Sequence, residues 1–172
     1  MTPSSSGDLL VLGLDPGSRC TGFGLVHEVS GCLQLVEAGT IRPQADADLS
    51  QRLGSIFSGL SELIDRLKPS EAAVEDVFVA RNSASALKLG QARGAALVAC
   101  SEHHIPVWTY EPALVKKTLV GAGRADKRQV AFMVGQLLGR APSWSQDSSD
   151  ALAVAICHLN MRRYQRLEAA VQ

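Results

Sequence analysis

An aspartate follows directly on a short apolar run: Val11-Leu12-Gly13-Leu14 leads into Asp15-Pro16-Gly17-Ser18. An apolar run of this length, closed by a Pro-Gly turn, reads as a buried strand. A carboxylate at its mouth costs on the order of several kcal/mol unless donors or a cation satisfy it. The pattern recurs: Ala72-Ala73-Val74 ends in Glu75, and Asp147 and Asp150 open a helix whose body, Ala151 to Cys157, is apolar almost all round. Side chains alternate along a strand, so Glu75 shares a face with Ala73 while Asp76 shares the other with Val74 and Phe78. Glu75 is therefore the expected inward acid and Asp76 a peripheral one. Asp147 and Asp150, three residues apart, are neighbours on one helix face.

Each acid also has a structural reading. Asp15 suits a turn before Pro16-Gly17, Glu75 a strand end, and Asp147 and Asp150 a first helical turn behind the N-cap Ser145. Taken together, two strand ends and one helix start can converge at one edge of a sheet. Four carboxylates held there would repel and raise one another's pKa, which a hard, oxygen-seeking cation such as Mg²⁺ or Mn²⁺ relieves. That arrangement suits two-metal phosphoryl hydrolysis.

The rest of the chain supplies the sheet. Leu9–Leu14, Gly22–Val29 and Cys32–Ile41 are extended stretches joined by short turns, which predicts an antiparallel three-stranded start. The period then changes: Leu49, Leu53, Ile56, Phe57, Leu60, Ile64 and Leu67 predict an amphipathic helix ended by Lys68-Pro69. A strand over Ala72–Phe78, a helix over Ser83–His103, a strand over Pro106–Tyr110 and helices near Leu114–Val120, Lys127–Leu138 and from Gln146 past Met161 follow. The expected fold is α/β, a mixed five-stranded sheet with helices on both faces. A polar extension over residues 1–8, one domain over 9–164 and a short tail over 165–172 are expected.

No apolar run approaches the ~20 residues of a membrane helix, and a soluble, cytoplasmic protein is expected. Cys20, Cys32, Cys100 and Cys157 form no C-x-x-C pair and read as reduced packing residues. His103 and His104 are expected to be solvated, and His158 to pack. Formal charge is zero, but residues 1–80 carry 5 basic and 11 acidic side chains, a net −6, whereas residues 81–128 carry 8 basic and 3 acidic, a net +5. The middle segment fits a polyanion or an ordinary solvated face. Within it, Arg81, Lys88, Arg93, Arg124 and Arg128 are candidates for phosphate contacts. Gly90 and Gly94, beside Ala86 and Leu97, form a flat helical stripe suited either to packing within the chain or to a two-fold dimer.

Four segments together resemble the RuvC family of Holliday-junction resolvases: Leu12-Gly13-Leu14-Asp15-Pro16-Gly17-Ser18, Val74-Glu75-Asp76-Val77-Phe78, Ala84 to Gly94 with its S-A-L-K-L-G-Q-A-R-G run, and Asp147-Ser148-Ser149-Asp150-Ala151-Leu152-Ala153. The resemblance spans about Leu9 to Leu159. It implies a ribonuclease-H-like fold, a homodimer, a branch-migration motor as partner, and Mg²⁺-dependent cutting of opposed strands at a four-way DNA junction, with two ions per site. By position it assigns metal binding and catalysis to Asp15, Glu75, Asp147 and Asp150. It places Lys116 and Lys127 at the scissile phosphate, with Lys117 beside them on DNA, and puts Phe78 at the junction centre. Asp76 stands where glutamine is common in the family.

Other classes fit parts of the pattern. Actin-like ATPases and sugar kinases use an aspartate-bearing strand-turn, but they need two such lobes. Gly121 to Lys127 lacks P-loop spacing. A junction-binding module without activity would lack one or more acids, and the set here is intact. A ribonuclease-H-like nuclease acting on RNA is disfavoured by the S-A-L-K-L-G-Q-A-R-G run.

Overall fold

The computed structural model describes residues 8–76 and 83–171. Among the described residues are five strands and five helices, in the order β1 (Leu9–Asp15), β2 (Thr21–Val29), β3 (Cys32–Ile41), α1 (Leu49–Leu67), β4 (Glu71–Glu75), α2 (Ser83–Glu102), β5 (Val107–Tyr110), α3 (Pro112–Val120), α4 (Lys127–Leu137) and α5 (Gln146–Val171). The strands form one sheet in the order β3-β2-β1-β4-β5. β1, β2 and β3 are antiparallel neighbours, while β4 runs parallel to both β1 and β5. This is the mixed five-stranded sheet expected from the sequence. The strand expected over Ala72–Phe78 spans Glu71–Glu75, and Phe78 and Arg81 lie outside the described residues. Residues 165–171 of the expected tail continue α5.

Alternation along the strands divides the core into two layers. Leu12, Leu14, Leu25, Ala72 and Val74 face α1 and α2, meeting Ile56, Leu60, Ile64, Ala92 and Ala96. Val11, Val26 and Ala73 face α3, α4 and α5, meeting Val115, Val130, Leu152, Ile156 and Leu159. Leu152, Ile156 and Leu159 are fully buried, and each contributes about 1.5–3 kcal/mol by leaving water. A central strand dressed on both faces explains why β1 reads as a continuous apolar run.

Two capping boxes set helix starts that matter downstream. Asp48 and Gln51 begin α1, and Asp126 and Gln129 begin α4 with Lys127 as its first residue. Among the described residues no helix is long and apolar enough to cross a membrane.

The last helix lies unusually close to the sheet, because the strand positions beneath it are glycines. A Cβ on Gly13 would land on the Ala151 carbonyl oxygen, and one on Gly22 on the Asp147 carbonyl. A Cβ on Gly24 would meet Leu152 Cδ2 at 2.5 Å. At the far end of β4, His158 is fully buried, its Nε2 2.6 Å from Glu71 and its Nδ1 2.6 Å from the Tyr110 hydroxyl. Burial holds its pKa below the ordinary value against the pull of Glu71. The neutral ring then donates from Nε2 and accepts at Nδ1. His103, contrary to the solvated reading, is mostly covered and sits 3.4 Å from Asp65.

Gly13→Ala should therefore lift α5 off β1. We expect a loss of about 1–3 kcal/mol of stability in denaturant melts, together with a loss of catalytic competence beyond that of an equally destabilising change in α1, because α5 carries two of the acids.

Candidate active site

The acids meet at one end of the sheet. β1 and β4 are parallel and in register, Leu14 opposite Val74, so Asp15 and Glu75 leave adjacent strand ends on the face covered by α5. The Ser145 hydroxyl accepts from the Ser148 amide and starts α5 there. The glycine-backed approach of α5 then brings Asp147 and Asp150 over the same edge. Alternation put Glu75 on this face and Asp76 on the other, where Asp76 Oδ1 lies 3.7 Å from Arg93.

Electrostatics shows how tightly the four acids are coupled. Burial, followed by the charges of Asp150, Glu75 and Asp147, pushes the Asp15 pKa up to about 7, with Lys127 opposing. Glu75 is raised by burial and by Asp150, against Lys127 and Lys116. Lys127 Nζ donates to Asp150 Oδ2 at 2.9 Å, and the Gln146 amide donates to Asp150 Oδ1 at 2.8 Å. The bond to Asp150, with the charges of Asp15 and Glu75, holds the Lys127 pKa above its usual value. A cleft of about 180 Å³ opens here, lined by Glu75, Lys116, Lys127, Asp150, Pro112 and Val115 among others.

Among the described residues no three His, Cys, Asp or Glu side chains are already drawn into a ligand cage. The donor set nevertheless fits a hard cation: it is all carboxylate, it is half-buried, and burial with mutual repulsion raises the Asp15 pKa to about 7. Lys127, with Lys116 and Arg42, offsets part of that charge.

Sequence reasoning missed three residues that hold these acids. The Cys20 thiol donates to Asp147 Oδ2 at 3.0 Å, and Arg42 approaches the same oxygen at 3.7 Å. Gln146 holds Asp150. Cys20 is thus more than a packing residue, and its proximity to Asp15 along the chain was the available signal. The remaining basic candidates scatter. Lys117, Arg124 and Arg128 are exposed around α3 and α4, Lys88 is exposed on α2, and Arg93 is mostly buried, donating to Thr109 Oγ1 at 3.0 Å. On α2 a Cβ at Gly90 or Gly94 would meet nothing within the chain, whereas Leu97 packs partly against the core.

The profile of the family described as "Crossover junction endodeoxyribonuclease RuvC" matches residues 11–158. The chain belongs to the RuvC family. A RuvC of Oleidesulfovibrio alaskensis is 61% identical over 161 residues, covering 94% of this chain and 96% of that one. Another, of Solidesulfovibrio magneticus, is 55% identical over 164 residues, covering 95% and 97%. Among solved structures, Thermus thermophilus RuvC in complex with a Holliday junction substrate superposes with a TM-score of 0.82 at 36% identity, covering 91% of this chain and 96% of that one. A yeast mitochondrial Holliday junction resolvase, at 12% identity and a TM-score of 0.66, shares the fold, covering 94% of this chain and 84% of that one. The expected family and fold are both borne out.

The raised Asp15 pKa predicts a pH signature in this RuvC family member. The folded chain holds a proton on Asp15 that the unfolded chain releases near 3.8, so metal-free stability should fall as pH rises from about 4 to about 7. Asp15→Asn should therefore melt on the order of 5 °C above the wild type at pH 8, given ~2 kcal/mol from removing a buried charge and its repulsion and ~2–4 °C per kcal/mol at this size. In calorimetry the gap should close near pH 4 and shrink on adding Mg²⁺.

Proposed function

We infer that the chain is a divalent-metal-dependent endonuclease that resolves four-way DNA junctions in recombination and repair. The observation that carries this is the convergence of Asp15, Glu75, Asp147 and Asp150, flanked by Lys116 and Lys127, in a member of the RuvC family. The four carboxylates would hold Mg²⁺, with Mn²⁺ as a substitute, and two ions per site suit the charge of the set. Bound there, the ions supply the Lewis acidity that makes water a nucleophile near neutral pH and offset charge on the leaving 3′ oxygen, so that a 5′-phosphate remains.

The chain's own groups do the rest. Asp15 and Glu75, rooted in adjacent strands, set a rigid floor. Asp147 is aimed by Cys20 and Arg42, and Asp150 by Gln146. Lys127 offsets the charge of Asp150 and, with Lys116 in the lining of the same cleft, would donate to a phosphate oxygen bound there. Lys117, Arg124 and Arg128 extend positive charge outward along α3 and α4, and Lys88 does so on α2, where Arg93 is mostly buried against Asp76 and Thr109. Phosphate contacts of this kind position a duplex without reading its sequence. Phe78 remains a junction contact by family resemblance alone, as does a branch-migration motor as partner, and Arg81 remains a candidate phosphate contact from the basic charge of its segment.

Cleavage of a synthetic four-way junction, a linear duplex and an RNA–DNA hybrid, with and without Mg²⁺ or Mn²⁺, tests this reading. The wild type should cut the junction selectively and only with metal. Asp15→Asn should bind the junction but cut it at least ~10³-fold more slowly. Near-normal turnover by that variant would sink the proposal, and ATP hydrolysis without DNA would favour a kinase-like reading.

Cutting two opposed strands calls for two sites, and the outer stripe of α2 supports a two-fold dimer. Leu87 is 65% and Val98 53% exposed, on the same side as Gly90 and Gly94. Ala86 borders this stripe, and Leu97 supports it from within. Sedimentation at micromolar concentration should show a dimer. Gly90→Glu should yield a folded monomer with an unchanged melting temperature and no paired incision.

A further inference from the structure

The first 80 residues are net acidic, yet three of their arginines, Arg19, Arg42 and Arg52, come together. Arg19 sits in the β1–β2 turn, Arg42 just beyond β3, and Arg52 on the first turn of α1. With Pro43, Gln44 and Ala45 they line a cleft of about 440 Å³ that has no acidic side chain in its wall. Like charges gathered in one cleft repel unless an anion joins them, the mirror image of the argument that points from the four acids to a cation.

The chain leaves these cations only partly satisfied. Among the described residues Arg19 has neither a hydrogen bond nor an ion pair. Arg42 donates weakly to Thr40 Oγ1 at 3.3 Å, and its nearest carboxylate is Asp147 at 3.7 Å. Arg52 gives one nitrogen to the Ala45 carbonyl at 2.6 Å, and its charge reaches Asp48 at the helix cap. Its Nε is buried without any acceptor. An unmet buried donor is destabilising, and a phosphate oxygen would satisfy it.

Position gives the cleft a role. Arg42 touches Asp147, and Arg19 adjoins Cys20, whose thiol also bonds Asp147. The cleft therefore abuts the acids on the β2–β3 side. Lys116 and Lys127 abut Glu75 and Asp150 on the β4 side. A strand crossing the site would meet cations before and after the carboxylates.

We propose that Arg19, Arg42 and Arg52 form a phosphate-binding subsite, which grips the backbone of the strand being cut at a phosphate flanking the scissile one. This rests on the proposed junction nuclease function and adds to it a second anchor, opposite the lysines. Guanidinium forks suit that task because they bind phosphate oxygens in pairs and stay charged.

The test is junction binding by fluorescence anisotropy, without activating metal, across a salt series. Arg19→Ala should weaken binding about fivefold to tenfold and lower the log–log salt slope by about 0.9, the mark of one lost phosphate contact. Adding Arg52→Gln should lower the slope further, with Arg52→Lys restoring part of it. Among the described residues Arg19 has no partner, so its variant should melt like the wild type.

A junction carrying one neutral methylphosphonate beside the cut should bind the wild type equally poorly. The same change should cost the Arg19→Ala variant nothing more. Wild-type affinity and slope in the arginine variants, in a chain that binds and cuts junctions, would overturn the subsite while leaving the nuclease reading standing. Losses from methylphosphonate and arginine that add at every flanking position would also overturn it. A wild type that neither binds nor cuts junctions would overturn both.

Discussion

The backbone of α5 rests on glycines in β1 and β2, and the candidate site depends on that contact. A Cβ at Gly13 or Gly22 would strike the carbonyls of Ala151 and Asp147. Only without one can the helix drop onto the sheet far enough to carry its first two acids to the ends of β1 and β4. The contact also makes α5 part of the core, with Ala151 to Cys157 wholly buried. Rigidity and chemistry thus share one interface, and a carboxylate on a helix so seated cannot swing away from its neighbours to relieve repulsion.

The repulsion is what the rest of the site manages. Asp15, covered by the fold and surrounded by three acids, is driven to a pKa of about 7. Lys127 leans on Asp150, Gln146 donates to the same carboxylate, and Cys20 with Arg42 holds Asp147. Each of these contacts aims an acid while offsetting only part of its charge. The residual negative potential suits a divalent cation, and the flanking lysines and arginines would offset it for an approaching polyanion. An acidic centre within a basic rim resolves the apparent conflict between a neutral chain and a DNA substrate.

Much of this was legible along the chain. The switch from two-residue to three- and four-residue periodicity after Ile41 located α1 to the residue, and Lys68-Pro69 ended it. Strand alternation separated Glu75 from Asp76 correctly, because the faces of β4 are set by geometry that every strand shares. The four acids could be named because each ends or opens an apolar element, where a carboxylate needs a reason. The helices expected near Leu114–Val120 and over Lys127–Leu138 correspond closely to α3 and α4, since Pro112 and the Asp126 capping box mark their starts.

What the sequence by itself determined is local: strand faces, helix starts and stops, and which carboxylates stand at the ends of apolar runs. These follow from short-range sterics and periodicity, which act the same way in any fold. Tertiary structure decided which groups meet. Cys20 bonds Asp147 across 127 residues of chain, His158 joins Tyr110 and Glu71 in a buried network, and three arginines from an acidic half of the chain share one cleft. No local pattern encodes such pairings, because they depend on how closely α5 seats on the sheet and on which loop ends the sheet order brings side by side.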